Sequence, residues 1–444
     1  MGARQVACRL LFALVVTTGP VWGQAQPFAG PYVQSTYDRL LGEIEKIRAF
    51  DNHGHPGFAG DADVDAMAIP DDSSVPLRLR DGNREMVDAA KTLFSYPYSD
   101  LSKEHLHWLV DKKAALKKSQ GARYFDGILD SAGIETAVAN RVSMPEYLDP
   151  ARFLWVFFVD NFLFPFNNQE FVSRNPDLKL NVPLQEKLQR RNLAMVHLNG
   201  LPADLAGYLK FITAVVEADQ KAGGVGLKFE VAYFRSLHFD DPTEQEAATI
   251  YSKYRGSGVP EAAEYRRFQD FIFRFLLREA GRLGLPVQIH TAVGGGDYFN
   301  LEQGNVMNLE NILRDPRYER VKFILLHGGY PFERQGIWLA ARKNVYLDSS
   351  LMGIFLLPEE FKRSLRQWLE LFPDKIVFGS DAFPLSDALG AEESYWLATQ
   401  SARTALAAAL AEMVSSGEIS EEQALRMARD YLHNTAAGVY QGRH

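Results

Sequence analysis

Short apolar runs bounded by Gly or Pro recur along the chain, and between them apolar residues return at helical spacing. That alternation predicts parallel strands covered by helices. Eight runs qualify, at 47–53, 134–140, 153–159, 225–231, 286–290, 321–327, 344–347 and 375–378. Eight parallel strands predict a closed barrel. The clearest unit spans 261–290: Tyr265, Phe268, Phe271, Ile272, Phe275 and Leu276 keep one helical face, then Gly284 and Pro286 stop the helix ahead of the run VQIH. A barrel core takes about 250 residues, so a chain of 444 carries a surplus. The surplus falls after the first, third and fourth runs, at about 57–133, 160–202 and 236–261. Segments leaving the C-terminal ends of barrel strands stand over the mouth, so these are expected as walls or lids. The Phe-rich stretch FFVDNFLFPFNNQEF is expected to pack inserted segments together rather than line a pocket. With no short repeat and no low-complexity linker, 26–444 reads as one barrel domain.

Composition fits a folded protein, with 46% hydrophobic and 23% charged residues. Lys plus Arg number 48 against 56 Asp plus Glu, a net charge of -8, which argues against a general nucleic-acid or anionic-membrane binder. A small-molecule substrate is the expected partner. Residues 1–25 read as an export signal: Arg4 and Arg9 precede an apolar stretch from Leu10 to Val16, and Gly23 and Ala25 offer small cleavage positions. That stretch is too short to span a bilayer, so a periplasmic or secreted protein is expected. The one cysteine, Cys8, lies inside the signal. The mature chain is therefore expected to have no disulfide, no thiol nucleophile and no thiolate zinc site, leaving His, Asp, Glu and a modified Lys as metal ligands.

The first run ends IRAFDNHGHP, and a period of two places His53 and His55 on one face of an extended chain, where two imidazoles chelate. His105 and His107 share that spacing within KEHLHWLVDKKAALKK, which reads as a helix; residues two apart diverge there, so that pair is expected to be surface decoration. Four more runs, GLKFEVAYFR, QIHTAVGGGD, ILLHGGYPFE and VFGSDAFP, each end in one ionisable group: Lys228, His290, His327 and Asp381. A lone histidine ending an apolar run is usually a hydrogen-bonded core residue, but the repetition over separate strand ends points to a metal site. An ammonium at Lys228 beside metal ions is prohibitive unless it is neutral or an anionic carbamate, which bridges two ions; a buried ion pair with Glu230 or Asp381 is the plainer alternative. Asp381 suits a ligand that also accepts a proton from bound water. Ser380 sits in FGSDAF, which lacks the second glycine of a nucleophile elbow. The loop 294–297, GGGD, lacks the strand-to-helix setting of a dinucleotide site and reads as flexible. His197, His238, His433 and His444 match no strand end and are expected to be structural or exposed.

The ordered set of HGH after strand one, Lys on strand four, His on five, His on six and Asp on eight resembles the metal-dependent amidohydrolase superfamily. LLHGGYPFER, NVYLDSS, KIVFGSDAFP and HNTAAGVY are similar to the amidohydrolase-type portion of glutamine-synthetase-like fusion proteins. The resemblance implies a (β/α)8 TIM barrel with long inserted βα loops and helical extensions. It implies that His53, His55 and Asp381 hold one metal, that His290 and His327 hold a second or serve catalysis, and that Lys228 bridges as a carbamate where two are bound. Zinc is the expected ion, with Mn, Fe and Ni compatible with the same N and O ligands. The implied activity is hydrolysis of an amide, ester or lactone carbonyl by metal-activated water, with Asp381 handling the proton and His327, if not a ligand, polarising the carbonyl. Tyr233 and Arg235 resemble the branch's turn after strand four, with Arg235 placed to grip a substrate carboxylate. Barrels of this branch often pair, so a homodimer is expected. A single-metal decarboxylase or hydratase shares the same residue set and is the rival reading; a non-catalytic solute-binding barrel is a third.

Overall fold

The computed structural model describes residues 31–58, 60–61, 63–64, 76–80, 82–174, 178–294 and 299–440. The signal residues 1–25 with Cys8, the loop residues 295–297 and His444 lie outside the described residues. Eight strands, β1 (Ala49–Gly54), β2 (Ile134–Arg141), β3 (Phe153–Phe158), β4 (Gly224–Phe229), β5 (Val287–Ile289), β6 (Phe323–Leu325), β7 (Val345–Asp348) and β8 (Ile376–Val377), coincide with the eight apolar runs. Each pairs in parallel with the next, in the order β1 to β8. The ring closes through a parallel bridge between Gly54 and Ala382, with Asn52 N donating to Phe378 O at 2.9 Å and Asp381 N to His53 O at 2.8 Å. This is the (β/α)8 barrel.

Strands covered on both faces read as continuous apolar runs, and register sorts their residues. Trp155, Phe157, Leu227, Phe229, Val287, Ile289, Phe323 and Leu325 turn outward into the large core shared with the helices. Phe50, Val138, Val156, Ile324, Leu326 and Val377 turn inward and fill the barrel. The last helix, Thr435–Tyr440, brings Ala436, Val439 and Tyr440 into that inner cluster, with the Tyr440 ring stacked on Phe50 at 6.0 Å between centroids. In the unit 261–290, the helix Ala262–Leu283 ends at Gly284, left-handed at φ 67°, as its stop signals predict.

The segment 57–133 carries helices Arg84–Phe94, Lys103–Gln120 and Tyr124–Ala132; 160–202 carries Gln169–Arg174 and Leu178–Met195; 236–261 carries Glu244–Tyr254. Phe162, Phe164 and Phe166 of the Phe-rich stretch pack on helices and on the loop after β4, with Phe162 on Phe211 (5.6 Å between centroids), Phe164 on Phe234 (4.9 Å) and Phe166 on Phe268 (4.7 Å), whereas Phe157 and Phe158 at its start line a cavity with Leu188 and Met195. No helix among the described residues is long and apolar enough to cross a membrane.

Backbone room is tightest just past β6. Gly328 has φ 57°, and a Cβ there would overlap Cη2 of the buried Trp368. Gly328→Ala is therefore expected to cost roughly 2–4 kcal/mol through strain and overpacking. Gly42, within the helix Pro31–Ile44, has nothing within 4 Å of where an alanine Cβ would lie, and Gly42→Ala should stabilise by up to about 1 kcal/mol. Urea unfolding of both variants checks the pair; equal effects would refute the close packing at Gly328.

Candidate metal centre

The site forms where β8 meets β1. The ladder of β1 shifts register between Asp51 and Gly54, turning His53 and His55 toward the barrel mouth. Asp381 follows β8 in a left-handed conformation, φ 55°. His53 Nε2 lies 3.0 Å and His55 Nε2 3.5 Å from Asp381 Oδ1. One ligand atom from each of the three falls within 4.8 Å of the others, a spacing that suits a metal ion.

The second pair of histidines adjoins the first. His327, also left-handed at φ 61°, has its Nε2 3.0 Å from His290 Nδ1, and its ring centroid 5.6 Å from that of His53. Non-glycine residues in this conformation cost roughly 1–3 kcal/mol each and persist where surrounding structure holds them. Here the conformation swings both side chains back over the mouth. Burial lowers the His327 imidazole to about 4 and holds His53 and His290 well below the ordinary imidazole value, with the charge of Lys228 pushing the same way. These three rings are neutral at pH 7, the state that ligates metal.

Lys228 is fully buried, makes no hydrogen bond among the described residues, and has Glu230 Oε1 3.5 Å away. Its register neighbours are Phe158 on β3 and Gln288 on β5, so all three face the barrel interior. Unspent imidazole nitrogens at His53 Nε2 and His290 Nε2 in a buried cluster fit a cation-binding centre rather than a finished core, and the unpartnered Lys228 Nζ beside them fits it as a neutral or carbamylated group.

Tyr233 reaches the cluster, its ring 4.5 Å from that of His290. Arg235, expected to grip a substrate carboxylate, is placed otherwise. Its N–H donors go to Gln269 Oε1 and the carbonyls of Ser236, Arg266 and His238, and it forms an ion pair with Asp270 at 2.7 Å, so the guanidinium clamps its loop to the helix Ala262–Leu283. Ser380 Oγ donates to the buried Asp51 at 2.5 Å, a seam contact rather than a nucleophile's arrangement. His105 stacks on Tyr98 at 3.8 Å and meets Asp100 at 2.8 Å, as surface decoration does. His238 is exposed beside Asp240, and His433 lies edge-on to Phe50.

Beneath these residues lies a polar layer that no strand-end pattern marks. Gln288 Oε1 faces His53 Nδ1 at 3.1 Å, and Ser350 Oγ lies 3.0 Å from His327 Nδ1. Asp348 accepts from Ser350 N at 2.9 Å and from Asn52 Nδ2 at 2.8 Å. Gln288 was detectable, since it precedes His290 by two in QIH and shares its face.

Fold and site together define a metal-dependent enzyme barrel, and sequence comparison agrees. Residues 211–440, just over half the chain, match the amidohydrolase family. The protein belongs to that family, and is an enzyme of the amidohydrolase superfamily whose centre takes a divalent metal. It is 31% identical over 246 residues to protein fluG of Emericella nidulans, a match covering 52% of this chain and 27% of fluG. The matched part thus spans about a quarter of that relative. Among solved structures, a protein from Lactobacillus casei assigned as a metal-dependent hydrolase superposes with TM-score 0.59 at 18% identity, covering 91% of this chain and 97% of that one. A uronate isomerase of Thermotoga maritima does so with TM-score 0.59 at 12% identity, covering 93% and 100%. These likenesses speak for the fold.

His53→Asn should abolish metal binding while leaving the far-UV circular dichroism spectrum unchanged, and His105→Asn should alter neither, with stability within about 0.5 kcal/mol of the parent. Metal retained by His53→Asn would remove His53 from the ligand set. Arg235→Ala should cost about 3–5 kcal/mol by leaving Asp270 buried without its partner, read by urea unfolding.

Proposed function

We propose that the protein is a hydrolase of an amide, ester or lactone carbonyl in a small substrate. The observation that carries the reading is the placement of Asp381, within 3.0 Å of one ligand histidine and 3.5 Å of another, and 15% exposed where the others are almost wholly buried. A divalent ion held by His53, His55 and Asp381 supplies Lewis acidity, lowering the pKa of water it binds. Asp381 would have two tasks, helping to hold the ion and accepting a proton from the attacking water to pass it to the leaving group. His290 and His327 complete a second position or orient the carbonyl, and the ring of Tyr233 walls the site beside His290. Burial of these imidazoles keeps them unprotonated, so they do not repel the ion.

A single-metal lyase is favoured by one specific contact, the approach of Lys228 Nζ to Glu230 Oε1 at 3.5 Å. An unmodified ammonium balanced by Glu230 leaves room for one ion only, whereas a carbamate on Lys228 supports two. Zinc is the proposed metal, and an exported location and a homodimer belong to the same reading.

The deciding experiment is elemental analysis of the purified chain prepared with bicarbonate and without chelator, followed by assays on amides, dipeptides and lactones. The expected result is close to two equivalents of metal with hydrolytic turnover. Lys228→Ala should then lose one equivalent and at least about a hundredfold in rate, partly restored by short carboxylic acids. One equivalent, with turnover confined to decarboxylation or hydration of acidic substrates, would establish the lyase instead.

A further inference from the structure

The helix Thr435–Tyr440 closes the end of the barrel opposite the metal centre, yet the Tyr440 hydroxyl is in hydrogen-bond contact with the layer that orients the histidines. Acceptor-only groups anchor the ends of that layer, and the Tyr440 hydroxyl holds the two amides between them in register. The Asn52 carbonyl can only accept, so the amide nitrogen of Gln288 must face it, at 2.8 Å. Gln288 Oε1 is thereby turned to His53, whose Nδ1 must carry the hydrogen it receives at 3.1 Å. The Nε2 lone pair of His53 is left facing Asp381 Oδ1, 3.0 Å away, an arrangement of two acceptors that a cation between them stabilises.

A second branch runs the same way. The carbonyl of Ser350, 3.3 Å from His327 Nδ1, can only accept, and Ser350 Oγ donates its own proton to Asp348, so His327 also carries its hydrogen on Nδ1. His327 Nε2 then accepts from His290 Nδ1 at 3.0 Å, leaving the His290 Nε2 lone pair unspent. Asp348 also accepts from Asn52 Nδ2, which turns Asn52 Oδ1 toward the Tyr440 hydroxyl at 2.8 Å. That hydroxyl accepts in turn from Gln288 Nε2 at 2.7 Å.

We propose that Tyr440 is a positioning residue: its hydroxyl joins the Gln288–His53 branch to the Asn52–Asp348–Ser350–His327–His290 branch and so helps hold all three imidazoles as Nδ1–H tautomers, with the Nε2 lone pairs of His53 and His290 free for metal. The link to metal rests on reading the cluster as a metal site, while the tautomers rest on the hydrogen bonds alone, and neither depends on the reaction assigned to the site. Tyr440→Phe keeps the ring stacked on Phe50 and deletes only the link, leaving Gln288 Nε2 and Asn52 Oδ1 each short of a partner.

The test uses the full chain labelled with 15N histidine and stripped of metal, examined by long-range 1H–15N NMR, with zinc affinity measured by competition against a chromophoric chelator. The parent should show His53, His290 and His327 as Nδ1–H tautomers. Tyr440→Phe should show His53 as a mixture, with zinc bound about tenfold more weakly, in the range found when groups supporting metal ligands are removed. If the Phe variant folds poorly, Gln288→Glu and Gln288→Leu supply the same contrast, since Glu keeps an acceptor for His53 Nδ1–H and Leu does not: Glu should preserve the tautomer and Leu lose it. Unchanged tautomers in Tyr440→Phe, or a parent already mixed, would overturn the proposal whatever the zinc result. A parent with the stated tautomers that binds no zinc would instead overturn the metal-site reading and leave the positioning role standing.

Discussion

Everything at the site depends on how the barrel closes. β8 contributes two residues to the sheet, and the seam to β1 is completed past its end by backbone bonds from Asp381 to His53 and from His55 to Ala382. The candidate ligands come from opposite sides of that seam, His53 and His55 from β1 and Asp381 from the exit of β8. The buried Asp51 carboxylate reinforces it by accepting from the backbone N and Oγ of Ser380. In regular strand geometry His53 would share the outward parity of Ala49 and Asp51. The register shift within β1 breaks that parity, so an irregularity at the seam, not ideal strand geometry, brings the two histidines to the candidate site.

A second constraint is electrostatic. Burying a lysine, three neutral imidazoles and several carboxylates in one barrel costs free energy that an apolar filling would not. Burial pushes Asp51 up to about 7 and Asp348 up to about 6, although both accept several hydrogen bonds. Asp160, at the exit of β3, is likewise pushed well above the carboxylate range by burial, and it accepts the Glu230 backbone N–H at both oxygens. A stability-optimised barrel would carry aliphatic layers throughout, as the lower half does with Val138, Val156, Ile324 and Val377. The polar upper half, together with left-handed backbone at His327 and Asp381, marks where packing has been traded for chemistry.

The strand count and order, the pairing of each chemical residue with a strand end, and the contrast between His53/His55 and His105/His107 were legible because they depend on local periodicity. A period of two, or of 3.6, is visible in any single segment. Arg235 shows the limit. Its type and position suit a carboxylate clamp, but whether a guanidinium points to substrate or to Asp270 depends on a helix 35 residues further on, and no local pattern carries that. The same holds for Asn52, Asp348 and Ser350, which look like strand filler or turn residues until the barrel brings β1 and β7 within hydrogen-bond reach.

Tyr440 belongs to both halves of the barrel, which explains why its layer forms a connected network and not isolated pairs. Its ring completes the apolar plug against Phe50, while its hydroxyl sits at the boundary where the inner layer changes from apolar to polar. A phenol is the side chain suited to that boundary, since it buries a large apolar body and still offers one donor and one acceptor. Each neighbour of that hydroxyl is itself held by an acceptor-only group, the Asn52 carbonyl for Gln288 and the Asp348 carboxylate for Asn52. Those acceptors and the hydroxyl between them together set the direction of each bond, and the histidines above inherit the resulting proton arrangement. A half-satisfied version would cost more than an apolar core, so one side chain, Tyr440, must satisfy both the apolar plug and the polar layer beneath the histidines.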